Sequence, residues 1–150
     1  MKTVATMVAL LGSLVGTVLA QEAQLTLRDL EGKSPRKLNK DEVTQLLTGA
    51  RMSRISGRGN RNIWSNDKDG AFVASSENTQ GVVGGRSGTP TTARGKWHIS
   101  DDGRYCVLIE WRGIPAEEWC RFVLQTSDGY YMTRSDSVGT ERVYKFEISK

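Results

Sequence analysis

RYCVLIEW at residues 104–111, followed by EWCRFVLQT at residues 118–126, predicts a pair of β-strands, because aromatic and β-branched residues dominate both stretches. The segment Arg112–Pro115 between them has the composition of a turn. The pair therefore predicts an antiparallel hairpin. Both strands are apolar on both faces, and such strands are covered on both sides. The simplest cover for the second face is a short helix or the N-terminal leader.

Cys106 and Cys120 are the two cysteines of the chain, one on each predicted strand. A three-residue turn centred on Gly113 places them directly opposite each other, as disulfide geometry requires. Oxidising compartments favour such pairing, and no C-x-x-C motif indicates a redox pair. We therefore predict a structural disulfide between them, worth roughly 3 kcal/mol.

Outward from this hairpin, short strands and tight turns follow each other regularly. Groups such as Asp67-Lys68-Asp69-Gly70 and Ser100-Asp101-Asp102-Gly103 supply the turn chemistry. With the hairpin included, the predicted strands are 51–56, 61–66, 71–76, 93–99, 104–111, 118–126, 130–135 and 142–148. The chain is therefore predicted to be mainly β, an antiparallel meander forming a small barrel or half-barrel.

Residues 38–49 are predicted to form one short helix packed on this sheet. Asn39 is a suitable N-cap, and Glu42 stands three residues later, as a capping box requires. Leu38 and Val43 occupy the positions of a hydrophobic staple, and Gly49 ends the helix.

The N-terminus predicts export. Lys2 is followed by an uncharged segment that ends in Val18-Leu19-Ala20, and small side chains at these positions favour signal peptidase cleavage after Ala20. The predicted organisation is a signal peptide at 1–20, a leader at 21–37 and one β-rich domain at 38–150. The expected location is periplasmic or extracellular. The full chain has a formal net charge of +4, too mild a bias to imply nucleic acid or a membrane as partner.

The residues predict neither a metal site nor a recognisable catalytic site, and no cofactor is expected. His98 is the only histidine, and no G-x-S-x-G elbow is present. Glu117 and Glu118 are neighbours on a strand and should point to opposite faces, which disfavours a carboxylate pair. The glycines between 81 and 88 precede a strand, whereas a phosphate-binding loop precedes a helix.

The segment 77–92 is Gly-rich and poor in bulky side chains. Long connections of this kind are often functional, so we expect a binding rim here. The arginines in or near this segment and the basic run before it form the candidate rim: Arg54, Arg58, Arg61, Arg86 and Arg94. The alternative is that the basic run is a solvated edge strand, whose charges discourage aggregation.

An ordered set of short motifs resembles a family of small exported proteobacterial proteins, the domain of unknown function 995 family. The motifs are Leu38-x-x-Asp41-Glu42-Val43, Trp64, Gly70-x-Phe72, Gly95-x-Trp97-x-Ile99, Gly103-x-x-Cys106, Glu118-Trp119-Cys120 and Gly129-x-Tyr131. The resemblance covers about residues 38–150 and implies a bacterial exported setting with no functional residue to carry over. The architecture is more distantly similar to lipocalin and calycin barrels.

Together these features predict a non-enzymatic exported barrel, expected to be a monomer, that binds a partner protein or a small apolar ligand. One alternative is a hydrolase or lyase with a Lys, Glu or Tyr site. Another is an inhibitor or immunity-type protein that acts through the 77–92 segment.

Overall fold

The computed structural model describes residues 24–56, 60–78 and 91–150. The predicted signal peptide, 1–20, lies outside the described residues. A 3-10 helix spans Arg28–Lys33. The remaining elements in chain order are β1 (Arg36–Lys37), α1 (Lys40–Leu47), β2 (Arg51–Ile55), β3 (Asn60–Asn66), β4 (Ala71–Asn78), β5 (Thr91–Ile99), β6 (Tyr105–Glu110), β7 (Glu117–Thr126), β8 (Gly129–Thr133) and β9 (Val143–Ser149).

Strands β2 to β9 form a closed, eight-stranded antiparallel barrel, and β1 is an extra strand on its wall. Each barrel strand pairs with the next one along the chain, and β9 pairs back with β2 through Met52 opposite Ile148. The prediction of a mainly β meander is confirmed, and of the two shapes it allowed, the closed barrel is the one present. Closure leaves β2 to β9 without a free sheet edge along most of their length.

The barrel core is built from alternate residues of each strand, because successive strand side chains point to opposite faces. Buried side chains such as Phe72, Trp97, Tyr105 and Phe146 belong to one apolar cluster. Val43 and Leu47 of α1 are fully buried in that same cluster. The helix therefore contributes its apolar stripe to the core of the barrel.

Helix α1 begins at the capping box that the sequence indicates. The backbone N–H of Glu42 donates to Asn39 Oδ1 at 2.9 Å, and Glu42 Oε2 accepts from the backbone N–H of Asn39 at 2.9 Å. Gly49 follows with a φ of +69°, the left-handed conformation expected after a helix.

Polar contacts hold α1 against one end of the barrel. Lys40 Nζ pairs with Asp101 Oδ1 at 2.8 Å in the β5–β6 turn. At the other end of the helix, Asn66 Nδ2 donates to the backbone oxygen of Leu47 at 3.2 Å. The hydroxyl of Tyr105 donates to Asn66 Oδ1 at 2.7 Å, inside the core. These contacts place the helix over the end that carries the β3–β4 and β5–β6 turns.

The leader lies on the outer face of β7, β8 and β9. Leu30 is fully buried there in a second apolar cluster with Leu124, Tyr131 and Val143. The backbone N–H of Leu38 donates to the carbonyl of Val123 at 3.0 Å, next to the β1–β7 pairing. The leader is therefore the cover of the second apolar face on this side of the barrel.

The predicted disulfide is confirmed. Cys106 and Cys120 are opposite each other in the β6–β7 register and are bonded, with a Cα–Cα distance of 4.0 Å. In the described part of the chain, no helix has both the length and the apolar character needed to cross a membrane.

Candidate functional site

A cavity of about 270 Å³ opens at the barrel end opposite α1. Its walls come from the ends of strands that lie far from the helix: Arg54 near the end of β2, Trp111 just after β6, Glu117 at the start of β7 and Tyr144 near the start of β9. The volume is close to the lower limit of about 300 Å³ for pockets that hold small ligands.

The lining combines aromatic side chains with a few polar ones. The aromatic members are Trp64, Trp111, Trp119, Tyr144 and Phe146. The other apolar members are Ala74, Ile109 and Met132, and the polar members are Arg54, Asn62, Ser75, Glu117 and Arg121. Polar and apolar atoms contribute about equally to the exposed wall, so the cavity offers both surfaces for stacking and groups for hydrogen bonding.

The disulfide-bonded hairpin positions the wall on the β6–β7 side. Trp119 stands opposite Val107 in the register, so its side chain points inward. Its ring meets the buried ring of Tyr105 edge-on, with centroids 5.7 Å apart. The indole Nε1 of Trp111 donates to Glu117 Oε2 at 3.2 Å. Trp119 is therefore held by a ring in the core, and Trp111 by an exposed carboxylate at the mouth of the cavity.

Arg54 extends from β2 into the cavity and packs its guanidinium on an aromatic ring. Its Cζ lies 4.7 Å from the ring centroid of Tyr144. Its Nε is buried and has no hydrogen-bond partner among the described residues. Burial lowers the pKa of Arg54 from its ordinary value, whereas Tyr144 and Glu117 act in the opposite direction. Because arginine stays protonated in proteins, the lowered pKa reflects a positive charge partly withdrawn from water.

Arg121 brings a second partly buried charge to the same cavity from β7. Its Cζ lies 5.5 Å from the Trp119 ring centroid, and its Nη1 donates to the backbone oxygen of Cys120 at 3.3 Å. Burial is the main cause of its lowered pKa; the charges of Arg134 and Arg54 also lower it, whereas Tyr144 and Glu141 act in the opposite direction. The cavity therefore contains two partly desolvated guanidinium groups of like charge.

The structure places the described members of the candidate rim on different faces. Arg54 lines the cavity. Arg61 is exposed on β3 and alternates with Asn62, which lines the cavity. Arg94 is exposed on β5 and alternates with the buried Ala93. Both side chains therefore belong to the outer face of the barrel, away from Arg54.

Arg58, Arg86 and most of the predicted 77–92 segment lie outside the described residues. The described part of that segment belongs to strands, since β4 continues to Asn78 and β5 begins at Thr91.

Sequence reasoning did not single out Arg121, which lines the cavity. A signal for it was present in the alternation of β7. Arg121 stands between Trp119 and Val123, and strand alternation places all three side chains on one face. A charged residue on a face that is otherwise buried indicates a functional role or a paired charge, since isolated charges are rarely buried.

The described residues contain no group of three His, Cys, Asp or Glu side chains arranged to hold a metal ion. His98 is exposed on β5, opposite Cys106 in the register, and does not line the cavity. Glu117 lines the cavity, whereas its neighbour Glu118 does not, in line with the expectation that they point to opposite faces.

Comparison with known proteins places the barrel in one family. The family described as Protein of unknown function (DUF995) matches residues 18–139, which include α1 and the strands β1 to β8. No curated protein and no solved structure matches the chain.

Proposed function

The chain belongs to the DUF995 family of proteins of unknown function, and we propose that it is a binding protein for a small molecule with an aromatic or aliphatic body. The single observation that supports this proposal best is the aromatic-walled cavity at the open end of the barrel. The other end is occupied by α1, whose Val43 and Leu47 fill the core. The barrel is thus solid at one end and hollow at the other.

Binding rather than catalysis is favoured by the chemistry of the lining. Glu117 is the only carboxylate that lines the cavity in the described part of the chain, and it accepts a hydrogen bond from Trp111. Arginine is a poor proton donor or acceptor near neutral pH, because it stays protonated in proteins. The lining therefore offers recognition by shape, stacking and charge, and Glu117 and Tyr144 are the lining side chains that could transfer a proton.

A neutral aromatic probe tests this function. We expect 2-naphthamide to bind in the cavity with measurable heat in calorimetric titration. The Trp119→Ala variant should bind it about tenfold to a hundredfold more weakly, because an aromatic contact of this size stabilises by about 1.5–3 kcal/mol.

The matched control is Phe122→Ala, on the outer face of the same strand, where Phe122 packs under Lys37 and Arg104. That variant should bind the probe like the wild type. Equal losses of affinity in the two variants would rule out the cavity as the binding site, as would a wild-type protein that binds neither 2-naphthamide nor its carboxylate isostere 2-naphthoate.

We further propose that the chain is exported and processed after Ala20. The motivation is the uncharged segment that ends in Val18-Leu19-Ala20, together with a disulfide of the kind that persists in oxidising compartments. Intact mass spectrometry of protein recovered from the periplasm or medium should give a chain that begins at Gln21. A recovered chain that retains Met1 would refute this.

A further inference from the structure

We propose that the ligand carries a carboxylate, and that Arg54 and Arg121 hold this group inside the barrel. This inference rests on the proposed binding function, which it deepens by naming the chemical class of the ligand. Arg54 and Arg121 line the same cavity, and Arg54 is near enough for its charge to affect the titration of Arg121.

Neither guanidinium has a carboxylate partner within the described residues. The ion pairs there join other side chains, and none includes Arg54 or Arg121. Glu117 is the acid on the cavity wall, and its bonded partner is Trp111. The segments 57–59 and 79–90, which connect described strands, contain no Asp or Glu. A charge that is partly withdrawn from water is stabilised by an opposite charge, and no described side chain forms an ion pair with either guanidinium group.

The balance of charge in the cavity favours a ligand with a single negative charge. Two guanidinium groups against the one carboxylate of Glu117 leave an excess of one positive charge. A carboxylate neutralises this excess, whereas a phosphate dianion would exceed it. The planar carboxylate also matches the hydrogen-bonding fork of arginine, and such charge-assisted pairs are the stronger kind of hydrogen bond.

The aromatic wall defines the rest of the ligand. Arg54 packs on Tyr144 and Arg121 on Trp119, so each guanidinium stands beside an aromatic face. A ligand whose carboxylate reaches both arginines would place its remaining atoms against these rings and Trp64. The class that fits is a small aromatic or aliphatic carboxylic acid.

The test compares two ligands of nearly the same shape. The probes are 2-naphthoate, which is ionised at neutral pH, and its neutral isostere 2-naphthamide. The wild-type protein should bind 2-naphthoate at least about tenfold more tightly, as expected for hydrogen bonds to charged groups. The double variant Arg54→Gln/Arg121→Gln should bind the two probes with nearly equal affinity. The control variant Arg94→Gln, on the outer face, should keep the wild-type preference.

Because the measured quantity is a ratio of two affinities in one protein sample, a partly unfolded variant does not distort it. Equal binding of the two probes by the wild type would overturn this inference and leave the proposed function intact. A preference for 2-naphthoate that persists in the double variant would overturn the assignment to Arg54 and Arg121. Binding of neither probe would overturn the proposed function, and this inference with it.

Discussion

Replacing Gly95 by alanine should destabilise the barrel by at least about 3 kcal/mol, the upper range for overpacking a close contact. Gly95 lies in β5 between Phe72 of β4 and Ile109 of β6. A Cβ atom on Gly95 would stand 1.8 Å from the backbone oxygen of Leu108. Backbone cannot rotate away as a side chain can, so β5 and β6 would have to separate. A glycine inside a strand often marks such a close approach of another backbone.

Gly32→Ala is the matched control, since a Cβ at Gly32 would meet no atom within 4 Å. Chemical denaturation followed by circular dichroism measures both variants. The control should change the free energy of unfolding by no more than about 1 kcal/mol. If Gly95→Ala were as stable as Gly32→Ala, the close pairing of β5 with β6 described above would be incorrect.

Removing the disulfide should lower the free energy of unfolding by roughly 3 kcal/mol, because the bond joins residues 14 positions apart and restricts the unfolded chain. The double variant Cys106→Ala/Cys120→Ala and reduction of the wild-type protein should give the same loss in denaturant melts. The reducing agent should have no effect on the double variant, which serves as the control. Wild-type stability that does not change on reduction would contradict a stabilising role for the bond.

The disulfide also affects the site. It holds Cys106 opposite Cys120, and this register places Tyr105 opposite Arg121 and Val107 opposite Trp119. A slip of one residue would turn Trp119 and Arg121 to the outer face. If loss of the disulfide allows β6 and β7 to slip by one residue, ligand binding should weaken together with stability.

The strands were predictable from sequence because their signals are local. Each of the eight predicted segments overlaps a strand of the barrel, and turn residues such as Gly70 and Gly103 adopt positive φ. The capping box at Asn39 is equally local. Closure is different, since it depends on β2 pairing with β9 almost a hundred residues later. Alternation within a strand does not determine whether such a distant partner completes a barrel.

The site was less predictable than the fold for the same reason. Arg54 was a candidate because it belongs to a basic run, but its neighbour Arg61 belongs to the same run and faces outward. Asn62 and Trp64 lie on one face of β3 and line the cavity. Strand alternation therefore places Arg61, the neighbour of Asn62, on the outer face and away from Arg54. Which end of the barrel is hollow depends on where α1 packs, and the apolar stripe of Val43 and Leu47 does not specify that location.

NMR signals of the four tryptophan side chains test most directly whether the open end of the barrel binds the ligand. Trp64, Trp111 and Trp119 line the cavity, whereas the Nε1–H of Trp97 donates to the backbone oxygen of Asp67 at 2.8 Å at the opposite end. In ¹H–¹⁵N NMR spectra, titration with 2-naphthoate should shift the indole N–H signals of the three cavity tryptophans and leave that of Trp97 in place. Unchanged cavity signals, or a shift confined to Trp97, would contradict the claim that the open end of the barrel binds the ligand.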